Sequence, residues 1–520
     1  MTIDPLHRRA FLVGAGAFSA ASASLIPART FAQAADRLRL VQPWALRSLK
    51  LSTSGSGLSR PGITEGLVAV EPDGQIVPAL AQSWSTSADG LVWRFKLRAA
   101  AAFHDGSRVT SAAVNASFER LLPSALYLRS AGIVSVSADG DEIVFRLGKP
   151  FGSFLDYLVD YSTHVLAPAS FDSAAEISQV IATGPYRIVE ADLPRGLILA
   201  RFDGYWGPKP AFASALVDAV VNGETRANIA VAGDADIVIN VPAPSLSRLQ
   251  SAGAGRIERV IIPRVHILMV NCAKPQFSDV RTRRALNMAI DRAGIAASIM
   301  RNPALAATQY LPPPLAKWHF ADLAPHKRDF AAANRLLDEA GWAMGSDGVR
   351  FKNGIKFAGN LKTFANRPEL PVIATALQSQ LKAVGFDLSV SVGEWQAITD
   401  AKRDGTLELA LNSRNVAIVP DPISSLALDF TTDNATSLDT GATSWNHDGL
   451  RHDVAVYLAT SDETLRAPLR RRIVGVLHEE LPVMPIVWYD QLVAVANRIG
   501  EVPIDPFELR YLLERVRIKA

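Results

Sequence analysis

The sequence predicts an α/β protein that contains both parallel and antiparallel strands. Its 520 residues are 48% hydrophobic and 20% charged, which is typical of a globular chain long enough for two or three domains with sizeable cores. Two β-α-β units, at residues 217–239 and 355–392, predict parallel strands. Alternating strands that meet at a turn, as in residues 132–150, predict antiparallel hairpins.

The first 34 residues predict an export signal. The stretch HRRAFL at 7–12 resembles a twin-arginine motif, a weakly apolar Gly/Ala/Ser-rich segment follows it, and Ala-Gln-Ala at 32–34 fits a cleavage site. A membrane anchor is the alternative, but the apolar run is shorter than the roughly 18–20 residues that a spanning helix needs. Because no cysteine near residue 35 can carry a lipid, we expect a mature chain that is soluble in a periplasm.

Charge and cysteine content argue against several functions. Lys and Arg number 54 against 51 acidic residues, and the formal net charge of +3 is scattered, without the basic stripe that a nucleic-acid partner requires. The single cysteine, Cys272, rules out an internal disulfide. It lies in an apolar, strand-like run, so we interpret it as a buried thiol without a catalytic role.

The first part of the mature chain predicts short elements joined by turns. A Ser/Gly-rich stretch at 52–59 has the composition of a solvated linker. Further on, apolar Trp93, Phe95 and Leu97 alternate with basic residues, which is the period of a half-buried strand. The motif FHDG at 103–106 then predicts a turn.

Two neighbouring motifs predict a hairpin with aromatic residues packed at its end. In TGPYR at 183–187, Gly-Pro favours a tight turn, and alternating apolar residues then describe two short strands. The second strand leads into RFDGYWGPKP at 201–210, which predicts another turn. We interpret its Tyr-Trp pair as a structural corner that organises the fold and need not bind anything.

Helices and strands alternate through the rest of the chain. The segment DVRTRRALNMAIDR at 279–292 predicts a helix. A strand at 407–411 is followed by a predicted exit loop, SRNVAIVPDP, at 413–422. An Arg-rich helix that ends at Glu480 leads into PVMPIVWY at 482–489, which predicts a strand.

These motifs occur in the order typical of one protein family. EGL, PALAQSW, DGLVWRFKLR and FHDG between residues 65 and 106, the TGPY hairpin, the YWGPKP corner and DVRTRRALNMAIDR together resemble the extracytoplasmic solute-binding proteins of family 5, which serve peptide and nickel ABC importers. The resemblance covers essentially the whole mature chain. It implies a two-lobed periplasmic-binding-protein clamp of type II, of the large cluster-C kind, with mixed sheets and an extra subdomain in the first lobe.

The resemblance also implies domain boundaries. The signal peptide takes residues 1–34, the core of lobe I takes 35–66, 182–262 and 485–520, the extra subdomain of lobe I takes 67–181, and lobe II takes 263–484. Two crossing segments near Ile262 and Met484 would act as hinges. A solute would be enclosed between the lobes, the usual place for a concave site.

The resemblance implies that the chain is the periplasmic substrate-binding component of an ABC importer. We expect a monomer that captures a small solute, peptide-like or otherwise organic, and delivers it to a membrane permease without a cofactor. The alternative within the family is the binding of nickel or a metal chelate. The alternative of another class is a periplasmic hydrolase, which is disfavoured because the sequence lacks a Gly-x-Ser-x-Gly elbow, a phosphate-binding glycine loop and a His-Glu-x-x-His helix.

One dense cluster of histidines and carboxylates, His447-Asp448 and His452-Asp453, lies in a region that we predict to be a loop. A loop of this composition can coordinate a metal. However, a five-residue spacing is not that of a helical face, and loop histidines are mostly solvated. We therefore assign no metal ligand.

Departures from the family pattern bear on the solute. The resemblance implies that peptide-binding members carry an acidic residue three positions before the Asp-Pro of the exit loop, where it pairs with the peptide's amino terminus. Counting back from Asp421 gives Ile418, which would leave that ammonium unpaired. In nickel-chelate members an aromatic pair occupies this loop and an arginine of the first lobe holds the chelator. Here Val416 and Pro420 replace the aromatics, and DYSTH at 160–164 supplies no arginine.

Ten residues are predicted to line the cleft. They are Arg60, Tyr161, His164, Arg414, Asn415, Val416, Ile418, Asp421, Trp445 and Asn446. Arg60 and Arg414 could clamp an anionic group, and Trp445 offers a stacking face. The alternatives are that Arg60 is a surface arginine, that Arg414 is a strand-edge arginine capped by an acid, and that Trp445 is a loop aromatic packed on its own lobe. Our hypothesis is a small anionic or zwitterionic organic solute, such as a modified peptide or a metal-chelating amino acid derivative.

Overall fold

The structure is a computed structural model that describes residues 36–125, 127–174, 176–365, 367–431 and 443–519. The predicted export signal, with its HRRAFL motif, lies outside the described residues. Within those residues, no helix is both long enough and apolar enough to cross a membrane.

Strands and helices alternate along the described chain. The strands are β1 Arg37–Gln42, β2 Val68–Val70, β3 Ile76–Pro78, β4 Ala81–Thr86, β5 Val92–Leu97, β6 Ile133–Asp139, β7 Glu142–Leu147, β8 Tyr186–Asp192, β9 Gly196–Arg201, β10 Ser214–Ala219, β11 Ile237–Ile239, β12 Gly255–Val270, β13 Ala343–Met344, β14 Arg350–Lys352, β15 Ile355–Lys356, β16 Ala358–Phe364, β17 Asp387–Gly393, β18 Leu409–Asn415 and β19 Val483–Ala496. The helices are α1 Leu51–Ser59, α2 Ser111–Leu121, α3 Phe154–Leu158, α4 Gly223–Ala232, α5 Leu246–Ala252, α6 Val280–Ala289, α7 Arg292–Ser298, α8 Phe330–Glu339, α9 Glu369–Lys382, α10 Trp395–Arg403, α11 Ile423–Phe430, α12 Asp448–Ala459 and α13 Glu463–Glu480.

Within the described residues, ten strands form one mixed sheet in the order β17-β16-β18-β12-β19-β11-β1-β10-β9-β8. β10 and β11 both run parallel to β1, which lies between them, and β16 runs parallel to β17. The parallel strands predicted from the two β-α-β units are thus confirmed. The predicted TGPYR hairpin is also confirmed, because β8 and β9 pair antiparallel at one edge of the sheet.

Strands β12 and β19 cross the middle of this sheet side by side and pair antiparallel with each other. β12 also pairs with β18, and β19 also pairs with β11, so both strands connect the two halves of the sheet. We call β11, β1, β10, β9 and β8 the first half-sheet, and β18, β16 and β17 the second half-sheet. The pairing of β12 with β19 shifts register between Ile262 and Val265 and again between His266 and Ile267. Because a register shift interrupts the ladder, the sheet can bend at this point.

A separate antiparallel sheet, in the order β4-β5-β7-β6, lies in the chain segment between α1 and β8. Trp93, Phe95 and Leu97 of β5 are buried, so their predicted inward alternation is confirmed. Phe154 of α3 packs edge-on against Phe145 of β7 at a ring-centroid distance of 5.3 Å. Since the chain enters this segment from α1 and leaves it into β8, the segment is tethered to the first half-sheet.

The Ser/Gly-rich stretch at 52–59 forms helix α1 and is not a solvated linker. Leu51 and Leu58 are buried, so an apolar face anchors the helix. Gly55 lies against the ring of Tyr161, where a side-chain Cβ would come within 2.3 Å of Cδ2. The small residues therefore allow close packing, which a composition-based reading mistakes for flexibility.

The TGPYR hairpin and the YWG turn meet at the half-buried carboxylate of Glu65. Tyr205 Oη and Trp206 Nε1 donate hydrogen bonds to Glu65 at 2.9 and 3.2 Å, and Thr183 Oγ1 donates at 3.0 Å. Burial raises the pKa of Glu65 to about 7, although the three hydrogen bonds act in the opposite direction. These aromatic residues thus tie together separate parts of the chain, in agreement with their interpretation as a structural corner.

Two segments predicted as loops belong to regular elements. Strand β18 extends to Asn415, so Arg414 and Asn415 pair with β12 and the exit loop begins after them. His447 and Asp448 lie at the start of α12, where His447 Nδ1 accepts a hydrogen bond from the backbone N–H of Leu450 at 3.0 Å. In both places polar residues at the end of an element suggested a loop, but backbone hydrogen bonds continue the strand or cap the helix.

Candidate functional site

A cavity of about 650 Å³ lies between the two half-sheets, and we call it the central cavity. Its lining comes from the segments after β1, β10 and β11 on one side, and from the segments after α7 and before α9 on the other, with part of β19 between them. The lining includes Trp44, Arg226, Arg301, Arg367, Glu369 and Tyr489. A cavity of this volume accommodates a small organic ligand.

The central cavity lies where parallel strands end. The segments that follow the carboxyl ends of β1, β10 and β11 contribute Trp44, Asn222 and Asn240, and the segment after β16 contributes Arg367. The amino ends of α4 and α9 belong to the same lining. In open α/β sheets, ligands bind at the carboxyl ends of the strands, where rigid elements position loops of variable sequence.

Two charged residues of this lining are committed to the fold. The Arg226 guanidinium donates four hydrogen bonds of 2.6 to 3.2 Å to backbone carbonyls of the loops after β10 and β11. Asp490 is buried, accepts a hydrogen bond from Asn302 Nδ2 at 2.9 Å and lies 3.2 Å from Arg259 Nη1. These two residues hold the walls of the cavity together.

Arg367 is not committed in this way. Its guanidinium lies over the ring of Tyr489, with Cζ 5.2 Å from the ring centroid, and within the described ranges it donates no hydrogen bond. Burial raises the pKa of Tyr489 to about 12, so the ring is neutral at pH 7. The N–H donors of Arg367 are therefore available to an anionic group in the cavity.

Glu369, the first residue of α9, has a buried carboxylate oxygen that receives no hydrogen bond from the described part of the chain. This Oε1 atom lies 3.3 Å from Nε2 of His266, whose side chain has no exposed surface. Burial lowers the pKa of His266, so the ring is neutral at pH 7 and gives the carboxylate no compensating charge. A buried carboxylate whose nearest side chain is one neutral imidazole keeps unused acceptor capacity, and a cationic group in the cavity would use it.

Three of the ten predicted residues, Arg60, Tyr161 and His164, meet at a second cavity of about 50 Å³. Arg60 Nε donates to a backbone carbonyl of the C-terminal segment at 2.7 Å, and its Cζ lies 4.1 Å from the ring centroid of Trp44. His164 is buried and shares a hydrogen bond of 2.8 Å with Thr64, and burial lowers its pKa to about 3. The structure thus brings these three residues together, with Arg60 and His164 engaged in internal contacts.

Arg414, on β18, forms a buried ion pair. Its Nε donates to Asp429 Oδ2 at 2.7 Å, and Tyr310 Oη donates to the same oxygen at 3.3 Å. This is the contact of a strand-edge arginine capped by an acid. Tyr127 lies within electrostatic reach of both Arg414 and Tyr161. Burial raises the pKa of Tyr127, the charge of Arg414 lowers it, and the electrostatic interaction with Tyr161 raises it.

The other predicted residues of the exit loop are also held by internal contacts. Val416 is fully buried, and its N–H donates to a carbonyl of β12 at 2.8 Å. Asn415 Oδ1 accepts a backbone hydrogen bond at 3.0 Å within the loop. Asp421 accepts a hydrogen bond from Tyr457 Oη at 2.7 Å, and Ile418 is half-buried.

Trp445 and Asn446 follow residues 432–442, which lie outside the described part of the chain. The Trp445 ring lies edge-on to Phe430 at a centroid distance of 6.2 Å and stacks on His447 at 5.8 Å. Asn446 is exposed. As far as the described residues define its lining, the central cavity contains none of the ten predicted residues.

The histidine and carboxylate cluster at 447–453 is tied to its own helices. His447 caps α12, and Asp453 accepts hydrogen bonds from Arg472 Nε and Nη2 at 2.9 and 2.8 Å. Across the ranges that the structure describes, no group of three or more His, Cys, Asp or Glu side chains could hold a metal ion.

Arg367, Glu369 and Asn222 were not predicted, although the sequence carries a signal for them. Each follows a strand of a predicted β-α-β unit by only a few residues. The carboxyl ends of such strands are the ligand-binding edge of an open α/β sheet. Applying that rule to the predicted strands at 217–221 and 355–361 would have selected these loops.

Comparison with known proteins identifies the family. The family model described as "Bacterial extracellular solute-binding proteins, family 5 Middle" matches residues 75–437. The chain belongs to this family. Among its relatives, the nickel-binding periplasmic protein of Escherichia coli (strain K12) is 26% identical over 484 residues, which are 90% of this chain and 91% of the relative. The glutathione-binding protein GsiB of the same strain is 26% identical over 337 residues, 63% of each chain.

A solved structure confirms the architecture of this family 5 protein. NikA from Brucella suis, in complex with Fe(III)-EDTA, is 25% identical and superimposes with a TM-score of 0.83, covering 92% of this chain and 100% of that one. The predicted two-lobed, type II periplasmic-binding-protein fold is therefore confirmed. So is the predicted function, because family 5 members are the solute-binding components of ABC importers.

Proposed function

We propose that this family 5 protein binds a small solute carrying both a carboxylate and an ammonium group, and that the central cavity is its binding site. The uncommitted guanidinium of Arg367 carries the proposal. A guanidinium has no acceptor of its own and matches a carboxylate with two parallel N–H donors. Of the groups that a small organic solute presents, a carboxylate therefore fits this wall best.

The surroundings of Arg367 add to the preference for an anion. Arg301 lines the same cavity with an exposed side chain. The amino ends of α4 and α9 are also part of the lining, and a helix amino end favours negative charge. These groups raise the affinity of the cavity for a carboxylate beyond what Arg367 provides alone.

Glu369 supplies the opposite preference two positions further along the chain. Burial alone would raise the pKa of Glu369, but the contact with His266 and the charge of Arg367 outweigh it and lower this pKa, so the carboxylate is ionised while its Oε1 makes no well-formed hydrogen bond with the described residues. A solute ammonium beside Glu369 would provide the missing donors and the compensating charge. Arg367 and Glu369 together therefore match a zwitterion, and Glu369 can take the place of the acidic residue that Ile418 does not supply.

A metal chelate is the second candidate. One relative is a nickel-binding protein, and NikA from Brucella suis holds Fe(III)-EDTA. A polycarboxylate chelator presents carboxylates that Arg367 and Arg301 could hold, and it carries the metal as cargo without metal ligands from the protein. GsiB, by its name, binds glutathione, a zwitterionic peptide, which is consistent with the first candidate.

Family membership also bears on the export, oligomeric state, activity and domain boundaries of this protein. We infer export through the twin-arginine signal, a monomer, no enzymatic activity and no cofactor. The lobe boundaries at 66/67, 181/182, 262/263 and 484/485 are retained, since the crossing strands β12 and β19 lie at the last two. The ten residues predicted from the sequence remain an alternative contact surface, of which Arg60 and Tyr161 line the second cavity.

The proposal is tested by calorimetry on the mature chain, freed of co-purified solute by unfolding and refolding. The probes are glutathione, a dipeptide series, Ni(II)-EDTA, and versions of the peptides in which the carboxylate is amidated or the amine removed. We expect a zwitterionic probe to bind and its amide to bind at least about 10-fold more weakly, because a charge-assisted pair is lost. Equal affinity for a probe and its amide would refute the proposal.

Matched arginine variants locate the site. Arg367→Gln should abolish the preference for the free carboxylate. Arg328→Gln is the control, because Arg328 also lies over an aromatic ring, with Cζ 4.5 Å from the Phe330 centroid, but not at the central cavity. If both variants bind as the unsubstituted protein does, the carboxylate is held elsewhere.

A further inference from the structure

The segment that carries the four-stranded sheet contacts α12 and α13 through space. This segment is tethered to the first half-sheet, as its chain connections require. The chain between the two crossing strands includes α12 and α13. The covalent chain connects it to the first half-sheet through β12 and β19. Any rotation of the two lobes about the crossing strands must therefore break or strain the contact between them.

Gly152 is the point of closest approach in this contact. Its N–H donates to the carbonyl of Leu458 at 2.8 Å. A side-chain Cβ at Gly152 would lie 2.1 Å from the carbonyl oxygen of Thr460 and 2.6 Å from the nitrogen of Ser461. Both are backbone atoms, which no change of rotamer can move. Only glycine allows the two segments to meet at this distance.

Arg466 of α13 joins the same two segments. The side chain is buried, Nη2 donates to Ser153 Oγ at 2.8 Å, and Nε donates to the carbonyl of Thr460 at 2.7 Å. The guanidinium also lies over the ring of Tyr457, with Cζ 4.5 Å from its centroid. Because a hydrogen bond to a buried charged group is among the stronger ones, Ser153 contributes more than a surface contact would.

We propose that Gly152, Ser153 and Arg466 form a latch that stabilises the closed arrangement of the lobes even without solute. The proposal goes beyond the identity of the solute and depends only on the two-lobed fold. None of the three residues lines the central cavity. A latch at this place makes the closed form part of the solute-free population, so that solute exchange requires its opening.

The test measures the distance between two spin labels in the solute-free protein. Ser137→Cys in the four-stranded sheet and Ala455→Cys on α12 place labels at two exposed positions on opposite sides of the contact. The native Cys272 is buried and its pKa is raised to about 11 by that burial, so it reacts slowly and the label goes to the introduced thiols. Co-purified solute is removed by unfolding and refolding.

We expect the otherwise native chain to show a population at the short, closed distance. Gly152→Ala should remove it because of the steric clash with Thr460. Gly475→Ala on α13 is the matched control, since no atom lies within 4 Å of the added Cβ, and it should leave the closed population unchanged. Circular dichroism verifies that both variants are folded.

Ser153→Ala tests the latch without a clash and remains informative if Gly152→Ala fails to fold. Loss of one hydrogen bond to a charged group should lower the ratio of closed to open forms by about 10-fold or more. The proposal is overturned if the solute-free protein shows no closed population. It is equally overturned if Ser153→Ala leaves the ratio unchanged.

Discussion

The central cavity and the second cavity differ in how their charged groups are used. At the second cavity, Arg60 donates to a backbone carbonyl and stacks on Trp44, and His164 is hydrogen-bonded to Thr64. At the central cavity, Arg367 and Glu369 keep donors and an acceptor that no described residue satisfies. Charged groups with internal partners support the fold, whereas charged groups that face a cavity without partners are available to a solute.

The largest expected effect is on the free energy of unfolding, which should depend on the ion-paired Arg414 and much less on Arg367. Arg414→Gln should lower the free energy of unfolding by about 3–5 kcal/mol, because the buried charge of Asp429 would lose its compensating cation. Arg367→Gln should lower it by only about 1 kcal/mol, because the contact with the Tyr489 ring and the longer-range attraction to Glu369 and Glu508 are lost but no hydrogen-bonded ion pair is broken. Urea denaturation measures both values, and similar losses in the two variants would break the comparison.

The affinity for the solute should depend on Arg367 much more than on Arg60. Arg367→Gln should weaken the binding of a zwitterionic solute by about 10- to 100-fold, the range expected when a charge-assisted hydrogen-bonded pair is lost. Arg60→Gln should weaken it by less than about 3-fold if the solute occupies only the central cavity. Calorimetry with the best probe decides between them. Strong loss in Arg60→Gln with none in Arg367→Gln would move the solute to the second cavity.

Glu369→Gln sharpens the assignment of the ammonium group. The variant should bind a zwitterionic probe about 10-fold more weakly, because the amide keeps an acceptor but loses the charge. It should bind the analogue without an amine about as well as the unsubstituted chain does. The same loss for both probes would show that Glu369 supports the cavity wall instead of binding the ammonium.

The smallest expected effect is the pH dependence of closure. The pKa of Asp156 is raised to about 7, mainly by burial and also by the neighbouring carboxylate of Asp421, whereas Arg466 and Lys317 act in the opposite direction. Asp156 is tethered to the first half-sheet and the other three residues to the second. If opening exposes Asp156, its pKa falls towards an ordinary value, so the closed form binds the proton more tightly.

The closed form should therefore be favoured more strongly as the pH falls below about 7 and should lose this stabilisation as the pH rises through 7, by at most about 10-fold between pH 8 and 6. Tyr157, whose pKa burial raises well above this range, also lies near Asp156 and stays neutral. The spin-label distance measured across this pH range checks the trend. Asp156→Asn should remove it, and a pH dependence that survives in this variant would assign the effect to another group.

The fold class could be predicted because its signals are local. Periodicity and turn residues define hairpins such as β8–β9, and the order of strand, helix and strand defines the parallel units. Helix α1 was missed because its Ser/Gly composition is explained only by the ring of Tyr161, more than a hundred residues away in the sequence. Tertiary contacts of this kind override composition.

The site was harder to predict because it depends on which loops meet. Arg367 faces Tyr489 only because β19 crosses the sheet between the two halves, which no local pattern indicates. Arg414 has the residue type of an anion clamp, but the folding of α11 brings Asp429 against it. Residue type alone cannot distinguish these two arginines, whereas the partners that the fold supplies do.

Strands β12 and β19 also limit how such a protein can be modified. Strand β12 pairs with β18 of the second half-sheet, β19 pairs with β11 of the first half-sheet, and the two strands pair with each other, so separating the lobes disrupts the sheet at this ladder. Lobes cannot be exchanged between relatives as modules joined by a single linker, because a chimera must be spliced inside two paired strands at once. New solute specificity is therefore more accessible through the loops that follow β10, β11 and β16, which can change in sequence and length while the two crossing strands remain intact.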